Sequence, residues 1–86
     1  MLDRPYELDP QVSLRPEPFG ALAYHFGNRR LTFLRSPDMV AVVEGLAGSG
    51  TVADALRSAG VDESRWPSFE AALDRLERSE MIRARA

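Results

Sequence analysis

The chain is expected to adopt an α+β fold, a three-stranded antiparallel sheet followed by three helices, and three observations carry that expectation. Between Gln11 and Leu34, apolar and polar side chains alternate at the two-residue period of strands. From Ser36 onward the apolar residues recur at the three-to-four-residue spacing of helices. Turn and cap signals, Pro16-Glu17-Pro18, Gly27-Asn28, Ser36-Pro37 and Gly48-Ser49-Gly50, separate these runs. In 86 residues there is room for a single core.

The first ten residues carry Pro5 and Pro10, mixed charge and no apolar period. They read as a flexible N-terminal arm, residues 1–10, ahead of a domain spanning 11–86. Val12 and Leu14 alternate with Ser13 and Arg15 as a short strand does, and the following prolines end it. Gly20 to Phe26 and Arg29 to Leu34 are two further strands. The Gly27-Asn28 pair between them suits a two-residue type II′ turn, because glycine takes the positive φ needed at its first position. Such a loop fixes the register: Phe26 faces Arg29, Tyr24 faces Leu31 and Leu22 faces Phe33. The large apolar members of these pairs then share one side of the ribbon. Ala21, Ala23, His25, Arg30, Thr32 and Leu34 share the other, where His25 reads as a solvated surface histidine.

Ser36-Pro37-Asp38 opens the first helix, with serine as cap, proline at the first helical position and an acid at the positive end of the dipole. Val40, Val43 and Leu46 mark its inner face, and Gly48-Ser49-Gly50 stops it. Thr51 and Asp54 form a capping-box-like start for a second helix, whose Val52, Ala55, Leu56 and Ala59 face inward and whose C-terminal glycine is Gly60. The third helix runs from about Trp66 or Pro67 to Ser79. Phe69, Ala72, Leu73 and Leu76 form its inner face, Glu70, Asp74, Glu77 and Arg78 its outer face, and Met81 and Ile82 tuck back as a short extended tail.

The composition removes much chemistry. There is no cysteine, no lysine and one histidine, so thiolate nucleophiles, thiolate metal sites, disulfides and Schiff-base lysines are excluded. The segment from Gly45 to Thr51 superficially resembles a phosphate-binding loop. It lacks the lysine beside the threonine and follows a helix instead of a strand. Glu70, Asp74 and Glu77 alternate with Arg75 and Arg78, a pattern that intrahelical ion pairs explain. No catalytic residue, metal ligand set or cofactor is expected. The N-terminus has acids and a proline where a signal peptide needs basic and apolar residues, and the longest apolar run, Met39 to Val43, falls far short of the ~20 residues that span a bilayer. The expected compartment is the cytoplasm, with no membrane partner.

Two helices around a glycine followed by a third raise the alternative of a winged-helix DNA-binding transcriptional regulator. A recognition helix should present basic or amide side chains. Here the outer face carries Glu70, Asp74, Glu77 and Glu80 against Arg75 and Arg78, and the net charge is −2, so a nucleic-acid partner is not expected. The hairpin remains. In a simple meander the strand Arg29 to Leu34 is an edge, protected only by Arg29 and Arg30. An open edge invites strand addition by a peptide. A helix, the N-terminal arm or a homodimer partner covering it is the alternative.

The stretch from Arg15 to Pro37, RPEPFGALAYHFGNRRLTFLRSP, followed by the Val40/Val43/Leu46 helix, resembles the mycofactocin biosynthesis peptide chaperone family, part of the PqqD-like group of RiPP recognition elements. The resemblance runs from about Val12 to Ile82. It implies a winged-helix-like, non-enzymatic domain that binds a short ribosomally made precursor peptide and presents it to a radical S-adenosylmethionine maturase. In such elements the leader adds a strand to the third β-strand and packs apolar residues toward the third helix. Carried onto this chain, the implied peptide-binding residues are Arg29, Arg30, Leu31, Thr32, Phe33 and Leu34, with Phe69, Ala72, Leu73 and Leu76. Spacing leaves open which of Phe69, Leu73 and Leu76 face the peptide and which fill the core.

Overall fold

The computed structural model describes residues 1–85, in the order β1 (Tyr6–Leu8), β2 (Val12–Glu17), β3 (Gly20–His25), β4 (Leu31–Leu34), α1 (Pro37–Gly45), α2 (Val52–Ser58), α3 (Trp66–Arg78) and β5 (Ile82–Ala84). Strands β2, β3 and β4 form an antiparallel meander, and the three helices follow it in the chain. The α+β expectation therefore holds. A second, two-stranded ladder joins β1 to β5, with Tyr6 opposite Ala84 and Leu8 opposite Ile82.

That ladder changes the account of the N-terminal residues. In place of a loose arm, the first ten residues are tied down along their length. The Val52 and Ala53 amides, unpaired donors of the first turn of α2, are taken up by the carbonyls of Arg4 and Leu2 at 3.0 and 2.9 Å. The Asp9 amide donates to the Met81 carbonyl at 2.9 Å. Tyr6 is buried, and its hydroxyl donates to the Glu77 carboxylate at 3.1 Å. A strand of three residues with one inward ring leaves no period to read in the sequence.

The helices begin and end as their caps dictate. The Ser36 hydroxyl accepts from the Met39 amide at 3.0 Å, and the Thr51 hydroxyl accepts from the Asp54 amide at 3.2 Å. Gly60, at φ +75°, takes the left-handed conformation after α2. Helix α1 stops at Gly45, earlier than the glycine run. Its buried stripe is Met39, Val42, Val43 and Leu46, shifted around the helix from the expected Val40, which is only half-buried. Helix α3 buries Trp66, Phe69, Leu73 and Leu76, and the Trp66 indole donates to the Val61 carbonyl at 3.0 Å.

The expected register is correct, with Tyr24 opposite Leu31 and Leu22 opposite Phe33. The turn that sets it is different. Gly27 has no positive φ; the left-handed residue is Arg29, at φ +61°, in a longer turn closed by His25 and Arg30. Because that turn is centred on the same Gly27-Asn28 pair, the register survives. The two-residue loop lies instead at Pro18-Phe19, closing β2 onto β3. There Gly20 runs at φ +148°, and a Cβ on it would collide with the Leu34 carbonyl.

Burial across the sheet inverts what hydrophobicity alone assigns. Ala21, Ala23, His25 and Leu34 face inward and are buried, with α1 packed against β3 and β4. Leu22, Tyr24, Leu31 and Phe33 face outward. The small side chains let a helix approach the sheet closely, and burial follows that approach.

Candidate functional site

Strand β4 is an edge of the meander. The His25 amide donates to the Arg30 carbonyl at 3.0 Å, which makes His25–Arg30 a hydrogen-bonded pair. Antiparallel alternation then makes Ala23–Thr32 and Ala21–Leu34 hydrogen-bonded too. Leu31 and Phe33 are the residues whose N–H and C=O point away from β3. Among the described residues, no hydrogen bond reaches those groups.

Beside this edge, between β4 and α3, lies a groove of about 600 Å³. Thr32 and Leu34 line it from β4, Met39 from α1, and Ala72, Arg75 and Leu76 from α3. Its floor is apolar, because inward-facing β4 residues alternate at a period of two and Ala72 and Leu76 lie four apart on one helix face. Arg35 and Arg75 stand in its walls, neither in an ion pair among the described residues, and no carboxylate lines it.

The hairpin turn holds the groove's two walls together. The Asn28 side-chain amide donates to the Ser79 carbonyl at 3.3 Å and to the Glu80 carboxylate at 3.0 Å, just past the end of α3, while its carbonyl oxygen accepts from the Arg30 amide at 2.9 Å. His25 supports the same turn from inside. Its Nδ1 accepts from the Gly27 and Asn28 amides, both at 3.0 Å, which places the ring proton on Nε2, facing Asp9 Oδ1 at 3.6 Å. His25 is thus a buried turn support and not the solvated surface residue its polar neighbours imply. A second, polar cavity of about 520 Å³ lies beside it, bordered by Asp9, Glu77 and Glu80. Among the described residues, no group of three His, Cys, Asp or Glu is placed to hold a metal ion.

Of the residues singled out from the sequence, Thr32, Phe33, Leu34, Ala72 and Leu76 come together around the groove. Leu31 lies on the exposed outer side of β4, and Arg29 and Arg30 belong to the turn and not to the strand. Phe69 and Leu73 are buried in the core and do not reach the groove, which divides the α3 stripe. Arg35, Ser36, Met39, Arg75 and Ser79 line it as well, outside the set the sequence points to. Met39 was legible as the start of a Met39, Val42, Leu46 stripe; Arg75 and Ser79 were not, because they flank an inner face whose width depends on where β4 sits. The outer face of α3 carries the expected ion pair, Arg78 to Asp74 at 2.8 Å. No helix among the described residues is long and apolar enough to cross a membrane.

Comparison with known proteins adds a family. The sequence profile of the peptide chaperone MftB family matches residues 5–83. A protein named peptide chaperone MftB from Mycobacterium ulcerans is 49% identical over 80 residues, covering 93% of this chain and 73% of the relative. Proteins of the same name from Mycobacterium tuberculosis and Mycolicibacterium smegmatis are 48% and 44% identical over 80 residues, covering 93% of this chain and 73% and 78% of their own lengths. No solved structure gives a significant match.

Proposed function

The chain belongs to the peptide chaperone MftB family, and from that premise we propose that it is a peptide chaperone of mycofactocin biosynthesis. In this reading it is a non-enzymatic domain that takes a precursor peptide as an added strand on β4 and hands it to a radical S-adenosylmethionine maturase. The observation that carries the reading is the open β4 edge directly beside an apolar groove. Strand addition needs both parts. Backbone hydrogen bonds supply attachment that ignores sequence, and pockets for alternate side chains supply selectivity. Here the backbone groups are those of Leu31 and Phe33, and the pocket is the groove floored by Leu34, Met39, Ala72 and Leu76.

The geometry selects the test. Proline at position 31 or 33 removes a donor that points to solvent, which an edge strand tolerates. Proline at position 32 removes a donor of the β3–β4 ladder. Calorimetric titration with a mycofactocin precursor peptide is expected to give saturable binding that Leu31→Pro weakens by about tenfold, the loss of roughly one to two strand hydrogen bonds. Thr32→Pro is expected to lower the unfolding midpoint. Absence of binding by the unaltered protein, or full affinity in a folded Leu31→Pro variant, overturns the strand-addition reading.

A further inference from the structure

The outer face of the β2–β4 sheet is a second apolar surface, meeting the groove at Phe33 and Arg35. Phe26, Leu31, Phe33 and Phe19 are 63%, 54%, 51% and 41% exposed, and half-buried Leu22 and Tyr24 lie among them. These side chains touch one another. Phe19 and Phe33 pack edge to face at 5.9 Å, as do Tyr24 and Phe26 at 5.1 Å, and the Arg35 guanidinium lies 5.6 Å from the Phe33 ring. A contiguous exposed patch of this kind marks an interaction surface more often than scattered apolar residues do.

The charge around it identifies what fits. Residues 11–35, which build the sheet and its turns, carry four arginines and one carboxylate, Glu17, already held by Arg15 at 3.2 Å. The rest of the chain carries seven arginines against twelve acids. The chain is therefore divided into a basic segment that builds the β2–β4 sheet and an acidic remainder. On the outer face itself stand Arg35, against the Phe33 ring, and Arg15, opposite Leu22 and held by Glu17. Two copies stacked sheet to sheet would bring these arginines against their copies with no unpaired carboxylate of residues 11–35 to offset them, which costs affinity. Single-stranded nucleic acid needs parallel ring faces on which bases stack. The rings here are turned 64° and 81° to one another, and Leu22 and Leu31 interrupt them.

We propose that this face docks a folded protein partner whose own apolar patch is bordered by carboxylates, and that the partner is the maturase that receives the peptide. The proposal rests on the peptide-chaperone reading. Its structural basis is the alternation along β4, in which Thr32 and Leu34 turn toward the groove, Leu31 turns to the outer face, and Phe33 lies on the outer face where it borders the groove. A peptide strand added to β4 continues the sheet, so its outward side chains stand beside Leu31 and Phe33. The maturase then meets chaperone and peptide on one continuous surface.

The test uses the intact chain, a mycofactocin precursor peptide and a radical S-adenosylmethionine maturase of mycofactocin biosynthesis. The unaltered protein is compared with a Leu22→Arg/Phe26→Ser double variant, an Arg15→Glu variant and the groove variant Ala72→Arg, each checked for unaltered circular dichroism. The double variant is expected to lose at least about tenfold in enzyme affinity by biolayer interferometry while its calorimetric affinity for the peptide stays within about twofold. Arg15→Glu, which leaves the apolar patch intact, is expected to weaken enzyme binding by about threefold. Ala72→Arg is expected to lose peptide binding and keep enzyme binding. Equal enzyme affinity in the double variant overturns the proposal, as does no enzyme binding by the unaltered protein. A dimer in sedimentation that the double variant abolishes assigns the face to a second copy, and oligonucleotide binding that it abolishes assigns the face to nucleic acid; either result overturns the proposal. Loss of peptide binding in the unaltered protein together with face-dependent enzyme binding instead breaks the chaperone reading and leaves the docking surface standing.

Discussion

Seen from the helices, the β2–β4 sheet shows Ala21, Ala23, His25 and Leu34, none more than 5% exposed. Seen from solvent, it shows Leu22, Tyr24, Leu31 and Phe33, larger and more apolar, of which Leu31 and Phe33 are about half exposed. The contrast teaches that the inner face is selected for fit and the outer face for something other than stability. A helix packed on a sheet needs room, and alanine provides it where leucine would hold the layers apart. A folded monomer gains nothing by keeping three phenylalanines and a leucine in water, so the cost of the outer face points to contacts made outside the chain.

This comparison can be broken most forcefully from the inside. Ala23→Leu adds volume where there is none and is expected to destabilise the fold by about 2 kcal/mol, read as a lower urea midpoint with unchanged slope. If Ala23→Leu were neutral, the close-packing account of the inner face would be wrong. Next in size is His25→Ala, which leaves the Gly27 and Asn28 amides without their acceptor. A loss of about 1 to 2 kcal/mol is expected, together with faster hydrogen exchange at those two amides.

A smaller effect separates inward from outward through pH. Burial, reinforced by the hydrogen bond to Glu77, holds the Tyr6 phenol above its ordinary range. The fold therefore favours the neutral phenol, so this contribution is fully present below about pH 10 and is lost as pH rises through the higher value of the folded state. Urea midpoints measured across alkaline pH should fall for the unaltered protein and fall less steeply for Tyr6→Phe. Smallest of all, Leu31→Ser on the outer face is expected to change stability by less than about 0.5 kcal/mol. A loss as large as that of Ala23→Leu would show that the outer face belongs to the core.

Local signals accounted for much of the fold. Ser36 and Thr51 cap the helices they were expected to cap, Gly60 takes the left-handed turn after α2, and Leu22 and Tyr24 meet Phe33 and Leu31 as the hairpin arithmetic requires. The edge status of β4 followed from the meander, and half of the implied binding residues lie around the groove beside it. The tight turn at Gly27-Asn28 was misjudged because the His25 imidazole accepts the Gly27 and Asn28 amide hydrogens there, an interaction that no dipeptide preference encodes.

By itself, then, the sequence determined the order of the elements, their caps and the strand register, since each depends on residues a few positions apart and on steric rules that act locally. Tertiary structure alone decided which side of the sheet is inside, that Tyr6–Leu8 pairs with Ile82–Ala84, and that Phe69 and Leu73 fill the core while Ala72 and Leu76 reach the groove. A period of two defines two faces without saying which one a helix will cover. That choice depends on how closely α1 and α3 approach the sheet, and contacts between residues far apart in the chain set that distance.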